Sequence, residues 1–173
     1  MLFSDIEEVQ GAFIVLPKRY NDHRGYFQEH FNSETYKDKV KSCQQVSFSK
    51  SNKNVIRGLH CSQYGKLVQC LQGSIVDHVV DLRPDSPTYL KWAAIELSYD
   101  VPKQVYIPPG CGHGFYSKED NSLVVYCQEG IFNSPTEMNV NPFDPKINIS
   151  WPGNNHIISE QDKNSPYIDE ARK

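Results

Sequence analysis

The sequence predicts an all-β chain, an antiparallel sandwich or barrel of short strands in one domain, and three observations carry that expectation. Short apolar or alternating runs recur along the chain, separated by Gly, Pro and Asn. Helical periodicity is nearly absent, with one modest candidate. The length of 173 residues, 38 % of them hydrophobic and 23 % charged, suits a single core rather than two.

In chain order, Gly11 to Leu16 is an apolar run closed by Pro17, and Tyr26 to Phe31 alternates aromatic with polar residues. Between them, Asn21-Asp22-His23-Arg24-Gly25 reads as a turn. Ser33 to Val40 is the helix candidate, with Ser33 as its cap and Glu34 in its first turn. Leu67–Leu71, the turn Gln72-Gly73 and Ser74–Leu82 read as a hairpin. Further strands are expected at Trp92–Leu97, Gln104–Ile107, Gly114–Ser117, Leu123–Cys127 and Ile147–Ser150. The polar tail from about residue 153 reads as a last helix or an arm. In Ile75–Leu82, alternation puts Ile75, Asp77, Val79 and Asp81 on one face and Val76, His78, Val80 and Leu82 on the other. The two aspartates either share a polar pocket or lie on a solvated face.

A net charge of −3 argues against a nucleic-acid partner, because backbone binding needs clustered Lys and Arg. There is no apolar stretch long enough to span a membrane and no basic, apolar leader, so the expected location is the cytoplasm. The cysteines Cys43, Cys61, Cys70, Cys111 and Cys127 are odd in number and scattered, which suggests free thiols in a reducing compartment.

No His-x-His pair, GxSxG, P-loop or GxGxxG occurs, which argues against metal, serine-nucleophile and dinucleotide chemistry. Compact polar segments remain: Arg57-Gly58-Leu59-His60, Gly65-Lys66-Leu67-Val68 and Gly112-His113-Gly114-Phe115. Singly, each is read most simply as a surface cation or a satisfied histidine. Together they suit proton abstraction beside a carbonyl, with a histidine as base and a lysine balancing the enolate.

Those segments resemble, in order, the family of dTDP-4-dehydrorhamnose 3,5-epimerases. The match includes Asp22-His23-Arg24-Gly25-Tyr26-Phe27-Gln28-Glu29, Asp85-Ser86-Pro87-Thr88, Ile149-Ser150-Trp151-Pro152 and Ile158-Ser159-Glu160-Gln161-Asp162, so it runs from about residue 10 to about 165. The resemblance implies a cupin jelly roll. It also implies a homodimer that works without metal or other cofactor on a nucleoside-diphosphate 4-keto sugar. It makes His60 the base, Asp162 its partner and Lys66 the enolate donor, with Asp81 and His113 as supporting pocket groups. Arg24 and Arg57 match diphosphate contacts, and Phe27, Glu29 and Gln45 match contacts to base and ribose, with the Phe27 segment reaching in from the neighbouring subunit. It also turns Ile75, Asp77, Val79 and Asp81 toward the barrel, with His78 outside.

Three departures alter the expectation. Ungapped alignment puts Phe132 at the family's catalytic tyrosine, which suggests inversion at C3 only, with water as the returning acid; Tyr126 or Tyr116 would be the substitute acid, at positions that do not match the family's. The loop Cys61–Gly65 is short, and Ser47 stands where asparagine is usual. Both departures point away from thymidine, toward relatives acting on GDP-linked 4-keto heptoses, so GDP is preferred over dTDP. The alternatives are a full 3,5-epimerase of dTDP-4-keto-6-deoxyglucose and a non-catalytic sugar-nucleotide-binding cupin.

Overall fold

The computed structural model describes residues 1–172. The strands are β1 (Leu2–Asp5), β2 (Phe13–Leu16), β3 (Arg19–Asp22), β4 (Gly25–Gln28), β5 (Gln45–Ser51), β6 (Ile56–Cys61) and β7 (Lys66–Gln72). They continue with β8 (Ser74–Asp81), β9 (Trp92–Ser98), β10 (Gln104–Ile107), β11 (Cys111–Ser117), β12 (Ser122–Gln128) and β13 (Met138–Asn139). Among the described residues there are three single-turn α-helices, α1 (Ser33–Tyr36), α2 (Glu160–Lys163) and α3 (Ile168–Ala171), and a 3-10 turn at Ser134–Thr136.

Two antiparallel sheets face each other, one in the order β1-β2-β10-β7-β12-β5 and the other β13-β6-β11-β8-β9. This is the antiparallel sandwich that the short runs predicted, in the jelly-roll form that the resemblance implied. Ile75 and Val79 of β8 meet Val68, Val105, Phe115 and Val124 in the core between the sheets. The other face of β8 turns His78 outward against Trp92 and Trp151, so the two-residue period was read correctly. The β3–β4 hairpin stands apart as its own two-stranded sheet, with the turn at His23-Arg24.

Several expectations need correction. β7 and β8 do not form a hairpin: they lie in different sheets, and Gly73 (φ 73°) carries the chain across between them. A side chain at Gly73 would meet Ser122 Oγ at 2.7 Å, so the crossing is both left-handed and tight. The helix near residue 33 is one turn long, and its cap is Asn32, whose side chain accepts from the Glu34 and Thr35 amides. Ile147–Ser150 is no strand, because Asp144 draws that segment into a turn by accepting from the Lys146 and Ile168 amides. β5 has the polar sequence QVSFSKS and gave no strand signal, yet it closes one edge of the larger sheet. That pairing puts Val46 opposite Cys127 and brings Cys43 beside it, so Cys43 and Cys127 are disulfide-bonded rather than free. Cys61, Cys70 and Cys111 are free and buried. Among the described residues, no helix is long and apolar enough to cross a membrane.

Candidate active site

At one end of the sandwich the sheets enclose a cavity of about 450 Å³, a volume typical of small-molecule sites. β6 carries His60 into it and β7 begins there with Lys66. β11 adds His113, and β12 adds Tyr126. Four neighbouring strands thus converge their side chains on one space.

His60 is held from behind. Its Nε2 lies 2.8 Å from Asp162 Oδ1, and the second Asp162 oxygen accepts the Gly58 amide at 3.2 Å. Ser159 caps α2 by accepting the Asp162 amide, which fixes the carboxylate's approach. Gly58 is required here: at φ 120° a side chain would meet the His113 carbonyl at 2.6 Å. A carboxylate only accepts, so Nε2 carries the hydrogen, and in the neutral ring the other nitrogen holds the lone pair. Burial raises the pKa of Asp162, but the bonds from His60 and Gly58 outweigh it and hold the carboxyl below its ordinary value. The His60 side chain is 40 % exposed, so the imidazole can meet a ligand from the cavity.

A second histidine–carboxylate pair lies deeper, with His113 Nε2 2.7 Å from Asp77 Oδ2. Lys66 is only 9 % exposed, and burial lowers its pKa against the raising influence of Glu137, Cys61 and Asp77. The Tyr126 hydroxyl is 2.8 Å from Ser49 Oγ, and burial raises its pKa, so the phenol stays protonated at neutral pH.

Of the residues singled out in the sequence, His60, Lys66, His113, Arg57, Gln45, Ser47 and Phe132 line this cavity, and Asp162 backs it. Asp81 does not belong to it. Its carboxylate is bonded to Arg83, Ser86 and Thr88 at 2.5–2.8 Å and ties down the loop after β8. The aspartate behind the pocket is Asp77, two periods of the alternation earlier on the same face, where it meets His113. Arg24, Phe27 and Glu29 are also absent from the cavity. Arg24 pairs with Asp22, while Phe27 and Glu29 flank a separate hollow beside Tyr20. Phe132 sits at the cavity mouth, 56 % exposed, its amide bonded to Gln45. It leaves no phenol missing inside, because Tyr126 supplies one. Tyr116 does not: its hydroxyl donates to Asn54 outside the cavity. Tyr126 was named only as a substitute acid, and Asp77 only as one of two aspartates on one face of an alternating strand, a signal shared with many core residues.

The profile of the dTDP-4-dehydrorhamnose 3,5-epimerase family matches residues 7–170. The chain belongs to that family. A dTDP-4-dehydrorhamnose 3,5-epimerase of Shigella flexneri is 37 % identical over 164 residues, covering 91 % of both chains. The rmlC epimerase of Mycobacterium tuberculosis superposes with a TM-score of 0.94 at 31 % identity, over 99 % of this chain and 90 % of that one. ChmJ, a 3'-monoepimerase from Streptomyces bikiniensis in complex with dTDP-quinovose, gives a TM-score of 0.91 at 29 % identity, over 98 % of this chain and 89 % of that one. Membership makes the chain an isomerase of the epimerase class. The GDP-heptose expectation gains no support from these relatives. The Shigella protein is named for a dTDP-linked sugar, and the Streptomyces structure contains one.

Proposed function

We propose that this enzyme inverts C3 and C5 of a dTDP-linked 4-keto-6-deoxy hexose through enolate intermediates. The observation that carries the reading is one cavity holding a carboxylate-backed imidazole, an amine and a half-buried phenol, on His60, Lys66 and Tyr126. The 4-keto group acidifies the hydrogens on both neighbouring carbons. His60 takes one such proton, and the C–H pair moves into the enolate. Asp162 then faces an imidazolium and stabilises it. The Lys66 ammonium meets the C4 oxygen as its charge grows, and one such donor is typically worth about 3 kcal/mol. The Tyr126 hydroxyl returns a proton to carbon from the opposite face, and the configuration inverts. No step calls on a cofactor.

His113, held by Asp77, supports the buried end of the pocket. Arg57, whose Nε donates to Ser51 Oγ at 2.9 Å, is oriented for the diphosphate. Gln45 and Ser47 are joined at 2.9 Å and serve the nucleoside end, with Phe132 over the mouth. Arg24, Phe27 and Glu29 serve nucleotide binding only in a homodimer, reaching from one subunit into its neighbour's cavity. The exposed apolar residues Val46 and Phe48 on edge strand β5, with Tyr20 and Phe27 on the hairpin, favour such pairing.

The test is proton NMR of dTDP-4-keto-6-deoxyglucose with the enzyme in D2O. Deuterium and inversion at both C3 and C5 are expected, and exchange confined to C3 would refute double inversion. Thermal shift separates the nucleotides: dTDP should raise the melting temperature more than GDP at equal concentration.

A further inference from the structure

Lys66 is the cation on which the enolate step depends, and it is buried where an ammonium is costly. Among the described residues its side chain forms no ion pair and no hydrogen bond, and its amine lies 5.8 Å from the centroid of the Tyr64 ring. Two of the acids nearby are already committed. Asp162 is bonded to His60, and Asp77 to His113 through Oδ2, its Oδ1 being buried without a hydrogen-bond partner among the described residues.

Glu137 is differently placed. It directly precedes β13, which pairs with the end of β6 so that Met138 lies opposite Cys61 and Asn139 opposite His60. That register sets Glu137 beside Ser62, a residue 1 % exposed, whose hydroxyl donates to Glu137 Oε2. The other oxygen, Oε1, is buried and has no hydrogen-bond partner among the described residues. Glu137 and Lys66 both line the cavity. A desolvated carboxylate oxygen without a donor is costly unless a cation faces it.

We propose that Glu137, anchored by Ser62, is the positioning residue that keeps Lys66 an ammonium in the cavity. The short Cys61–Gly65 loop then has a purpose of its own, since it delivers Ser62, and with it the carboxylate, to the wall next to the lysine. Because Glu137 and Lys66 do not form a close ion pair, the amine stays free to meet the sugar's oxygen. The other titratable groups facing Lys66 are Cys61 of β6, Asp77 of β8, Tyr64 of the loop and the cavity's His60 and His113. Glu137 heads the groups that oppose the effect of burial on this lysine. The inference takes its chemical meaning from the proposed function, yet its test reads Lys66 without turnover.

The experiment labels the full-length protein with [ε-13C]lysine, assigns Lys66 by Lys66→Arg, and titrates its resonance by NMR. In Glu137→Gln the midpoint should fall by at least about one pH unit. The basic limb of the kcat profile should fall with it, while KM changes little. Ser62→Ala, which frees the carboxylate without removing it, should move the midpoint in the same direction by less, and it serves if Glu137→Gln does not fold. An unmoved Lys66 midpoint in both variants overturns the proposal and leaves the epimerase reading untouched. Failure of that reading would show instead as a wild-type enzyme with no exchange at C3 or C5.

Discussion

The protein contains two histidine–carboxylate pairs of nearly the same length, and they face opposite conditions. His60–Asp162 spans 2.8 Å with its imidazole 40 % exposed, whereas His113–Asp77 spans 2.7 Å with both side chains at most 5 % exposed. The bond chemistry is alike, so it cannot assign the roles. Access does. A base must reach a ligand's hydrogen and then shed its proton, and only the His60 ring combines a fixed rear nitrogen with an open front. The buried pair serves to hold shape and polarity at the back of the cavity, where an unpaired group is expensive.

The largest effect should come from weakening the open pair. Asp162→Asn keeps the shape but removes the charge that holds the ring's tautomer. Exchange into substrate should drop by up to about 10⁴-fold, the size seen when a catalytic triad loses its orienting carboxylate. Urea unfolding should change far less. Next, Tyr126→Phe removes the proposed returning acid and should slow inversion by about 10²–10⁴-fold, with dTDP binding retained. Full activity in that variant would send the search for the acid back to the cavity mouth. Asp77→Ala should show the reverse signature, a loss of about 1–3 kcal/mol in unfolding free energy as His113 is left buried without its partner. If Asp77→Ala instead leaves stability intact and abolishes exchange, the contrast between the pairs is wrong.

The smallest effect concerns a third histidine, which has no carboxylate partner. His78 is packed against Trp92 and Trp151 with both ring nitrogens buried and unbonded. Burial lowers its pKa from 6.5 to about 4, against the raising influence of Asp77. The unfolded chain therefore binds this proton more readily than the folded one. The stability concerned is fully present above pH 6.5 and is lost as the pH falls toward 4. Between pH 7.5 and pH 5 the wild type should lose about 2 kcal/mol from this group. His78→Phe should flatten that slope in urea titrations, and an unchanged slope would place the acid sensitivity elsewhere.

Much of this was legible in the sequence, because period-two alternation fixes which side chains share a face. It grouped Ile75, Asp77, Val79 and Asp81 on one face and His78 on the other, and the family resemblance turned the first face inward. Alternation could not choose between Asp77 and Asp81, which are on one face about 13 Å apart along the strand. Only the register of the neighbouring strand β11 shows that one meets His113 and the other a surface loop. Gly73 marks a reversal whether the chain pairs back on itself or crosses to the facing sheet, so the hairpin reading failed for want of tertiary information. β5 was silent because an edge strand that exposes Val46 and Phe48 and turns serines toward a cavity lacks the usual apolar pattern. The motif series singled out His60, Lys66 and Asp162, and the structure brings them together at one cavity. Phe132, which the series aligned with the family's tyrosine, and Tyr126 lie six residues apart in sequence, one at the cavity mouth and one further in, and both line the cavity.

His60→Asn tests the central claim most directly, with solvent deuterium followed by NMR on the bound 4-keto sugar. The variant should fold, bind dTDP as the wild type does, and lose exchange at both carbons by about 10²–10⁴-fold. Exchange at the wild-type rate would contradict the account and place the base on another residue.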